Sequence, residues 1–249
     1  MRHNMALSRA FFLMGWLALS SFAEAYPQDV DVQAQVKVTQ AAAQKPVPHS
    51  SSPAANPSPT VVVWLNRVPS DTAAPVDLMP PGHFRMAQKN KNFDPHLLVV
   101  PLGSTIEFPN LDPFFHNVFS QFNGKRFDLG LYEAGSTKTV HFDHVGVSYI
   151  FCNIHPGMAA VIVTLASPYY SVSIGSGNVV LRHVHEGTYE MHVWAEGADV
   201  KQLETLTRRV HIGPSQNSLG AIPLVTTSAP SPHKNKFGED YKTDEPPTY

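Results

Sequence analysis

The sequence predicts an all-β protein, and the spacing of its apolar residues is the main reason. Residues 29–38 alternate polar residues with valines, as a strand with one buried face does. Residues 61–65 form a short apolar run that is typical of a buried strand. Later runs rich in β-branched and aromatic residues, separated by turn residues, have the same character and cover residues 97–100, 104–108, 169–173, 179–181, 187–194 and 207–212.

Residues 1–25 have the pattern of a secretory signal peptide. Arg2 and Arg9 precede an apolar run over residues 10–19, and residues 23–25 form an A-x-A cleavage site. The apolar run is too short to span a bilayer comfortably, and no later stretch is long or apolar enough. We therefore expect an exported protein in a bacterial periplasm, with no membrane span after signal cleavage. Retention by an uncleaved signal is the alternative.

The segment after the first predicted strand has a different composition. Residues 41–59 are rich in alanine, proline and serine, which cannot build a packed core. We expect a flexible insertion there, so that residues 28–68 supply two strands joined by a long linker.

The single cysteine of the chain lies among other potential metal ligands. Cys152, His155 and Met158 fall within seven residues, and His116 lies upstream between aromatic and β-branched neighbours. Two imidazoles, one thiolate and a weak thioether are the ligand set of a blue-copper electron-transfer site. This mixed set suits both Cu(I), which prefers sulfur, and Cu(II), which prefers nitrogen, so little reorganisation accompanies each electron.

Two other interpretations of these residues were weighed. A lone cysteine in a β-protein is often a small buried hydrophobe, but in an oxidising compartment a thiol without a disulfide partner needs an explanation. Zinc also binds histidine and cysteine, although structural zinc favours more thiolates and catalytic zinc does not select a thioether. Met158 therefore favours copper.

The middle third of the chain resembles a known family. Residues 83–166 are similar to cupredoxins of the plastocyanin and amicyanin type, and the loop C-x2-H-P-x-M resembles that of amicyanin, including Pro156. Within this range, residues 93–100, 103–108 and 146–149 also agree with the cupredoxin pattern.

The resemblance implies a Greek-key β-sandwich that binds one type-1 copper ion. The ligands it implies are His116, Cys152, His155 and Met158. Asn117 would be the neighbouring residue whose side chain ties the two ligand loops together, a common role around metal ligands.

The sequence on either side of residues 83–166 predicts a second domain. Residues 177–194 resemble the closing half of a carboxypeptidase-regulatory-like or transthyretin-like β-sandwich. We expect residues 168–225 to pair with residues 28–68 as one sandwich that is split in sequence by the copper domain. A terminal extension packed loosely on that domain is the alternative. Residues 227–249, rich in proline and charge, are predicted to be a disordered tail.

Charge limits the possible partners. The net charge is −2, from 18 basic and 20 acidic residues, and no run of Lys or Arg stands out. Nucleic acid is therefore an unsuitable partner, because phosphate binding relies on clustered positive charge. Of the thirteen histidines, His183 and His185 would share one strand face, where solvated turn residues are favoured over an auxiliary metal site.

These observations predict a periplasmic protein that passes single electrons between redox partners and is not an enzyme. Cys152 would be the strongly coupled ligand, His116 the buried anchor and Met158 the weak axial ligand. The outer edge of the His155 imidazole ring would reach the protein surface. Redox partners would dock on an apolar patch around that edge, formed by Pro156, Gly157, Phe114 and Phe115.

Other functions remain open at this stage. A methylamine-oxidising chain is one possible setting for an electron carrier with this loop. The same ligands could serve copper storage, delivery or resistance. Hydrolysis with Cys152 as nucleophile and His155 as base is a third possibility, but it lacks an evident third group to orient the base. The outer sandwich could also be a structural or interaction module.

Overall fold

The computed structural model describes residues 29–41, 58–69, 78–121, 124–227 and 234–241. The predicted signal peptide and almost all of the predicted insertion lie outside the described residues. Within these ranges the chain is almost entirely β, with seventeen strands and one seven-residue helix. No helix in these ranges has the length and hydropathy needed to cross a bilayer. The all-β prediction is confirmed.

The strands fall into three stretches of the chain. The first stretch holds β1 (Asp29–Gln40) and β2 (Thr60–Arg67). The second holds β3 (His83–Arg85), β4 (Ala87–Lys89), β5 (Asn92–Asp94), β6 (Leu97–Pro101), β7 (Ser104–Pro109), β8 (His116–Ser120), β9 (Phe127–Tyr132), β10 (Thr137–Phe142), β11 (Gly146–Phe151) and β12 (Ala159–Leu165). The third holds β13 (Tyr170–Ile174), β14 (Gly177–His185), β15 (Gly187–Ala195), α1 (Val200–Leu206), β16 (Arg208–Ile212) and β17 (Ser218–Thr226).

The first and third stretches together form one sandwich, called the outer sandwich below. One sheet has the order β14-β1-β17, in which β1 pairs antiparallel with β14 and parallel with β17. The other has the order β13-β2-β15-β16, with all neighbours antiparallel. The two strands that precede the second stretch thus pair only with strands that follow it. This is the pairing that a sandwich split in sequence requires. Its likeness to carboxypeptidase-regulatory-like sandwiches stays a prediction.

The alternation of β1 fixes its buried face. Val32, Ala34 and Val36 are buried while the residues between them are exposed, as the sequence pattern predicts. These residues pack against Val63 and Leu65 of β2 in one core cluster. The two sheets of the outer sandwich are therefore held together by apolar side chains from both ends of the chain.

The second stretch forms the inner sandwich, with sheets ordered β10-β7-β3 and β6-β12-β11-β8-β9. A short β4-β5 hairpin lies beside them. The core joins Phe108 of β7 and Phe142 of β10 to Ile150 of β11 and Ile162 of β12. Large apolar side chains from both sheets thus meet in one layer, as they do in sandwiches generally.

The two sandwiches share an apolar interface. Val62 of β2 and Trp194 of β15 pack against Val161, Val163 and Leu165 of β12. Because β2 is covered on one side by its own core and on the other by this interface, its valines are buried in succession instead of alternating. The apolar run at residues 61–65 has its physical explanation here.

Polar contacts cross the same interface. The indole Nε1 of Trp194 donates to the hydroxyl of Tyr149 at 3.2 Å. His96 contacts both sandwiches, with Nε2 at 2.7 Å from a carboxylate oxygen of Glu196 and Nδ1 at 3.1 Å from the carbonyl of Ala159. An imidazole that donates from both nitrogens is protonated, and the hydrogen bond to Glu196 accordingly raises the pKa of His96.

The C-terminal region differs from the prediction. Residues 227–249 were expected to be a disordered tail, but residues 234–241 form a turn that lies on the inner sandwich, with hydrogen bonds to Asp128, Cys152 and Asn153. The prediction is wrong for this segment because its order comes from specific polar contacts. A rule based on amino-acid composition does not detect such contacts.

Candidate metal centre

Three adjacent strands of the inner sandwich bring the predicted ligands to one end of a sheet. His116 is the first residue of β8, Cys152 follows the last residue of β11, and Met158 precedes the first residue of β12. The order β12-β11-β8 makes these strands neighbours. The sheet therefore places ligands that are up to 42 residues apart in sequence beside one another.

The donor atoms of three predicted ligands converge. The Sγ atom of Cys152 lies 3.7 Å from Nδ1 of His116 and 3.5 Å from Nδ1 of His155. One donor atom from each of these three residues lies within 4.8 Å of the other two, and all three residues are buried. The two imidazole rings are 4.7 Å apart between centroids. A pair of nitrogens and one sulfur therefore face a common point.

These separations fit a metal ion bound between the three atoms. Typical metal bonds are about 2.0–2.1 Å to imidazole nitrogen and about 2.3 Å to thiolate sulfur. Donors around an ion at such distances lie roughly 3.5 Å apart, close to the separations found here. The two sulfur–nitrogen separations thus already match the spacing that coordination requires.

The loop between β11 and β12 is closed by its own backbone. The N–H of Met158 donates to the carbonyl of His155 at 2.9 Å, and the N–H of Cys152 donates to the carbonyl of Met158 at 3.2 Å. Met158 is fully buried in the same core cluster as Cys152. The C-x2-H-x2-M spacing therefore produces a tight turn with all three side chains directed inward.

Burial sets the protonation of the three donors. Desolvation raises the pKa of the Cys152 thiol, and it lowers the pKa of His116 and, to about 4, the pKa of His155. The positive charges of His116 and Lys91 would lower the pKa of His155 further. The metal-free site thus holds neutral imidazoles and a neutral thiol. Metal binding would replace the thiol proton, so we expect it to release a proton and to weaken at low pH.

Asn117 links the two ligand segments. Its side chain is buried, with Nδ2 donating to Asp128 at 2.7 Å and Oδ1 accepting from the N–H of Asn153 at 3.3 Å. Asn117 is next to His116, and Asn153 is next to Cys152. One amide side chain therefore holds the two loops at a fixed separation.

Asp112 was not predicted from the sequence, although it contacts a predicted ligand directly. Its carboxylate accepts a hydrogen bond from Nε2 of His116 at 2.8 Å and others from the backbone N–H groups of Asn90 and Lys91. A proton held on Nε2 leaves the lone pair of Nδ1 directed toward Cys152. The only sequence signal was an acidic residue four positions before the histidine.

His155 differs from its predicted position. We expected its outer edge to reach the surface, but the residue is 8% exposed and its Nε2 atom is buried without a hydrogen-bond partner among the described residues. Its ring lies against Phe114, 5.6 Å away between centroids. Of the predicted apolar patch, Pro156, Gly157 and Phe115 are exposed. Phe114 is only partly exposed because it packs against the imidazole.

Comparison with known proteins gives a partial likeness. No model of a protein family and no curated protein matches the chain. A purple cupredoxin from Nitrosopumilus maritimus is similar over 32% of this chain and 98% of its own, with 22% identity and a TM-score of 0.30. A mutant of amicyanin with Cu(I) is similar over 33% of this chain and 81% of its own, with 16% identity and a TM-score of 0.31.

A larger protein is similar to part of the chain as well. A copper-containing nitrite reductase from Thermus scotoductus SA-01 is similar over 40% of this chain, with 24% identity and a TM-score of 0.33. The chain spans only 28% of that reductase. Likenesses this partial do not identify a function, so the functional conclusion depends on the side chains of the metal centre.

Proposed function

We propose that this chain is an exported copper protein that carries single electrons through one type-1 site. The observation that supports the proposal is the convergence of Cys152 Sγ with Nδ1 of His116 and Nδ1 of His155 at 3.5–3.7 Å, beside buried Met158. A protein with this site needs donors that suit both oxidation states of copper, and the set of two imidazoles, one thiolate and one thioether supplies them.

The surroundings of the ligands favour a fixed geometry. His116 and Cys152 are wholly buried, and the second is part of the inner core. Asp112 and Asn117 hold the ligand segments from outside through hydrogen bonds. When bound, copper would supply a centre that accepts and donates one electron. The protein would hold the ligands still and exclude water, which keeps the reorganisation small.

The donor set favours copper over zinc. Structural zinc sites close with four strong ligands, usually including two or more thiolates, and catalytic sites keep an open position for water. Here Cys152 is the one cysteine in the chain, and the turn buries a thioether beside it. A site with a single thiolate and a neighbouring methionine matches neither zinc pattern.

A hydrolytic role for Cys152 is disfavoured by its surroundings. Cys152, His116 and Asp112 are aligned like a nucleophile, a base and an orienting carboxylate. However, the thiol is 0% exposed and burial raises its pKa, whereas a nucleophilic cysteine needs a lowered pKa and access for a substrate. We therefore propose no enzymatic activity for this site.

Copper handling is the second candidate function, and one observation favours it. An electron carrier that exchanges electrons through His155 is expected to expose the edge of that ring, yet Nε2 of His155 is buried. A storage or delivery protein does not need such an exposed edge. For the electron-transfer proposal, redox partners would dock on the neighbouring exposed residues Phe115, Pro156 and Gly157, at a small interface that suits brief contacts.

Voltammetry of the protein loaded with one equivalent of copper separates the two functions. Electron transfer predicts a reversible one-electron wave, with the copper ion retained as both Cu(I) and Cu(II) over repeated cycles. The absence of a reversible wave, together with rapid transfer of Cu(I) to a soluble chelator, would replace electron transfer by copper handling.

A further inference from the structure

The C-terminal residues 234–241, called the C-terminal clasp below, form a small self-contained turn. The side chain of Asn235 accepts hydrogen bonds from the N–H groups of Phe237 and Glu239 at 2.9 and 3.0 Å. The backbones of Asn235 and Glu239 are joined at 2.9 Å. The clasp therefore has a shape of its own, and it presents the residues at positions 236 and 241 to the inner sandwich.

Each polar group of Lys236 binds a residue on or beside the segments that carry the predicted metal ligands. Its N–H donates to Oδ1 of Asn153 at 2.9 Å, and its Nζ pairs with Asp128 at 2.8 Å. Its carbonyl accepts from the side chain of Gln121. Asn153 follows Cys152, and Asp128 is the residue to which Asn117 donates. One lysine thus contacts the ligand loop directly and is linked to the His116 segment through Asp128 and Asn117.

Tyr241 contacts a ligand residue directly. Its hydroxyl donates to the backbone carbonyl of Cys152 at 2.8 Å. That carbonyl lies at the start of the loop that carries the thiolate, His155 and Met158. The hydroxyl therefore fixes the peptide group through which the cysteine is attached to its loop.

The clasp closes a ring of polar contacts around the ligand segments. Asn117 joins Asp128 to the backbone of Asn153, and Lys236 joins the side chain of Asn153 back to Asp128. Four residues, from β8, β9, the ligand loop and the clasp, thereby hold one another. Without the Lys236 side chain the ring is open, because its Nζ makes the contact with Asp128.

We propose that the C-terminal clasp is part of the metal centre, in which Lys236 and Tyr241 are positioning residues that keep the ligand loop closed and slow the release of copper. This inference rests on the proposed function. Release of the metal requires the thiolate of Cys152 and the imidazole of His155 to separate, and the clasp holds the backbone between β11 and that imidazole. We infer that the clasp thereby also raises the equilibrium affinity for the metal, and because coupling between two binding equilibria is reciprocal, bound metal should stabilise the docked clasp.

Release kinetics of the full-length protein test the proposal. Cu(I)-loaded wild type and a K236A/Y241F variant are mixed with excess colorimetric Cu(I) chelator, to which the metal passes as Cu(I) without electron transfer. Loss of the Lys236–Asp128 ion pair and of the Tyr241 hydroxyl hydrogen bond should speed release by about tenfold. K234A is the matched control, because it removes the same charge from the same segment, where Lys234 lies 3.8 Å from exposed Asp240. Its release rate should stay within about twofold of wild type.

Two further measurements distinguish positioning from a general loss of stability. The melting temperature of metal-free K236A/Y241F should stay close to that of metal-free K234A, since neither Lys236 nor Tyr241 belongs to a core cluster. K236R/Y241F, which keeps the charge at position 236, should release copper more slowly than K236A/Y241F. If K236A/Y241F does not fold, hydrogen exchange of wild type decides, because the amides of residues 234–241 should exchange more slowly with Cu(I) bound than without it.

Equal release rates in K236A/Y241F and K234A would overturn the proposal, as would hydrogen exchange in the clasp that copper leaves unchanged. Either result could occur in a protein whose Cu(II) form is intensely coloured and redox-active. Failure of the electron-transfer function shows instead as a wild type without that colour or a reversible wave, whatever the clasp does to release.

Discussion

Histidines in the two sandwiches have different surroundings, and the difference separates a metal centre from a charged surface. In the inner sandwich, His116 and His155 are buried and turn Nδ1 toward the thiol of Cys152. In the outer sandwich, His185 and His192 are half-buried and lie beside carboxylates. Two imidazoles that converge on one thiol form the donor group of a metal site, whereas each of these outer histidines pairs with a single carboxylate.

The largest expected effect is the loss of folding when the outer sandwich lacks one of its two sequence segments. Residues 168–227 expressed without residues 28–67 should fail to fold, because they lack β1 and β2 and so the central strands of both outer sheets. An NMR spectrum of this fragment should show poor dispersion. Residues 78–166 should in turn fold alone and bind copper, since the inner core is complete within them. A well-dispersed spectrum from residues 168–227 would contradict the split sandwich.

The next effect compares histidines of the two sandwiches directly. Replacing His116 with alanine should weaken copper binding by more than about 100-fold, because it removes one of the three donors that converge on the metal position. Replacing both His183 and His185 with alanine should leave the affinity unchanged. Competition titrations with a chelator measure both. Equal losses in the two variants would mean that copper binds at the outer surface.

A smaller effect is expected for the carboxylate behind the buried ligand. Asp112→Asn should lower copper affinity by about tenfold, because the amide orients His116 less strongly than the carboxylate does. Asp143→Asn is the matched control, since Asp143 pairs with exposed His144 away from the metal centre. Chelator competition at one pH checks both variants. Asp112 would lose its assigned role if its variant bound copper as tightly as the control.

The smallest effect is a pH dependence at the interface between the sandwiches. Pairing with Glu196 raises the pKa of His96 above 6.5 and lowers the pKa of Glu196 below 4.5. The histidine's contribution is complete below about pH 6.5 and is lost as pH rises through its raised pKa. The contribution of Glu196 is present above about pH 4.5 and is lost as pH falls through its lowered pKa. The pair should therefore stabilise the protein most between these values.

Denaturant unfolding of wild type and His96→Gln at about pH 5.5 and pH 8.5 measures this contribution. Because both partners are exposed by more than a third, the difference at pH 5.5 should be below about 1 kcal/mol. It should shrink further at pH 8.5. His83→Gln, at an exposed position on β3, is the control. A difference that grows with pH would have the wrong sign for a charged His96.

The parts of the structure that the sequence predicts are those with a short-range signal. The alternation of β1 indicated its buried face because side chains of a strand point to opposite sides in turn. The spacing of Cys152, His155 and Met158 indicated a common site because one tight turn joins them. Burial of the β2 valines on both faces followed from their run in the sequence, although the run did not say what covers each face.

The parts that were missed depend on contacts between residues far apart in the chain. The clasp has no hydrophobic period, and its order comes from Lys236 and Tyr241 reaching residues more than 80 positions away. The burial of His155 depends on Phe114, which comes from another loop. Asp112 is close to His116 in sequence, but its inward direction is set by the backbone N–H groups that it accepts from in the β4-β5 hairpin.

Visible absorption of the protein with one equivalent of Cu(II) tests the central claim most directly. A Cu(II)–thiolate bond of the blue-copper type gives an intense charge-transfer band, whereas copper on surface histidines absorbs only weakly. Wild type should show the intense band, and Cys152→Ser should lose it while staying folded by circular dichroism. His183→Ala should keep it. A colourless wild type saturated with Cu(II), or an intense band that survives Cys152→Ser, would contradict the assignment of Cys152 as the thiolate ligand of a type-1 copper site.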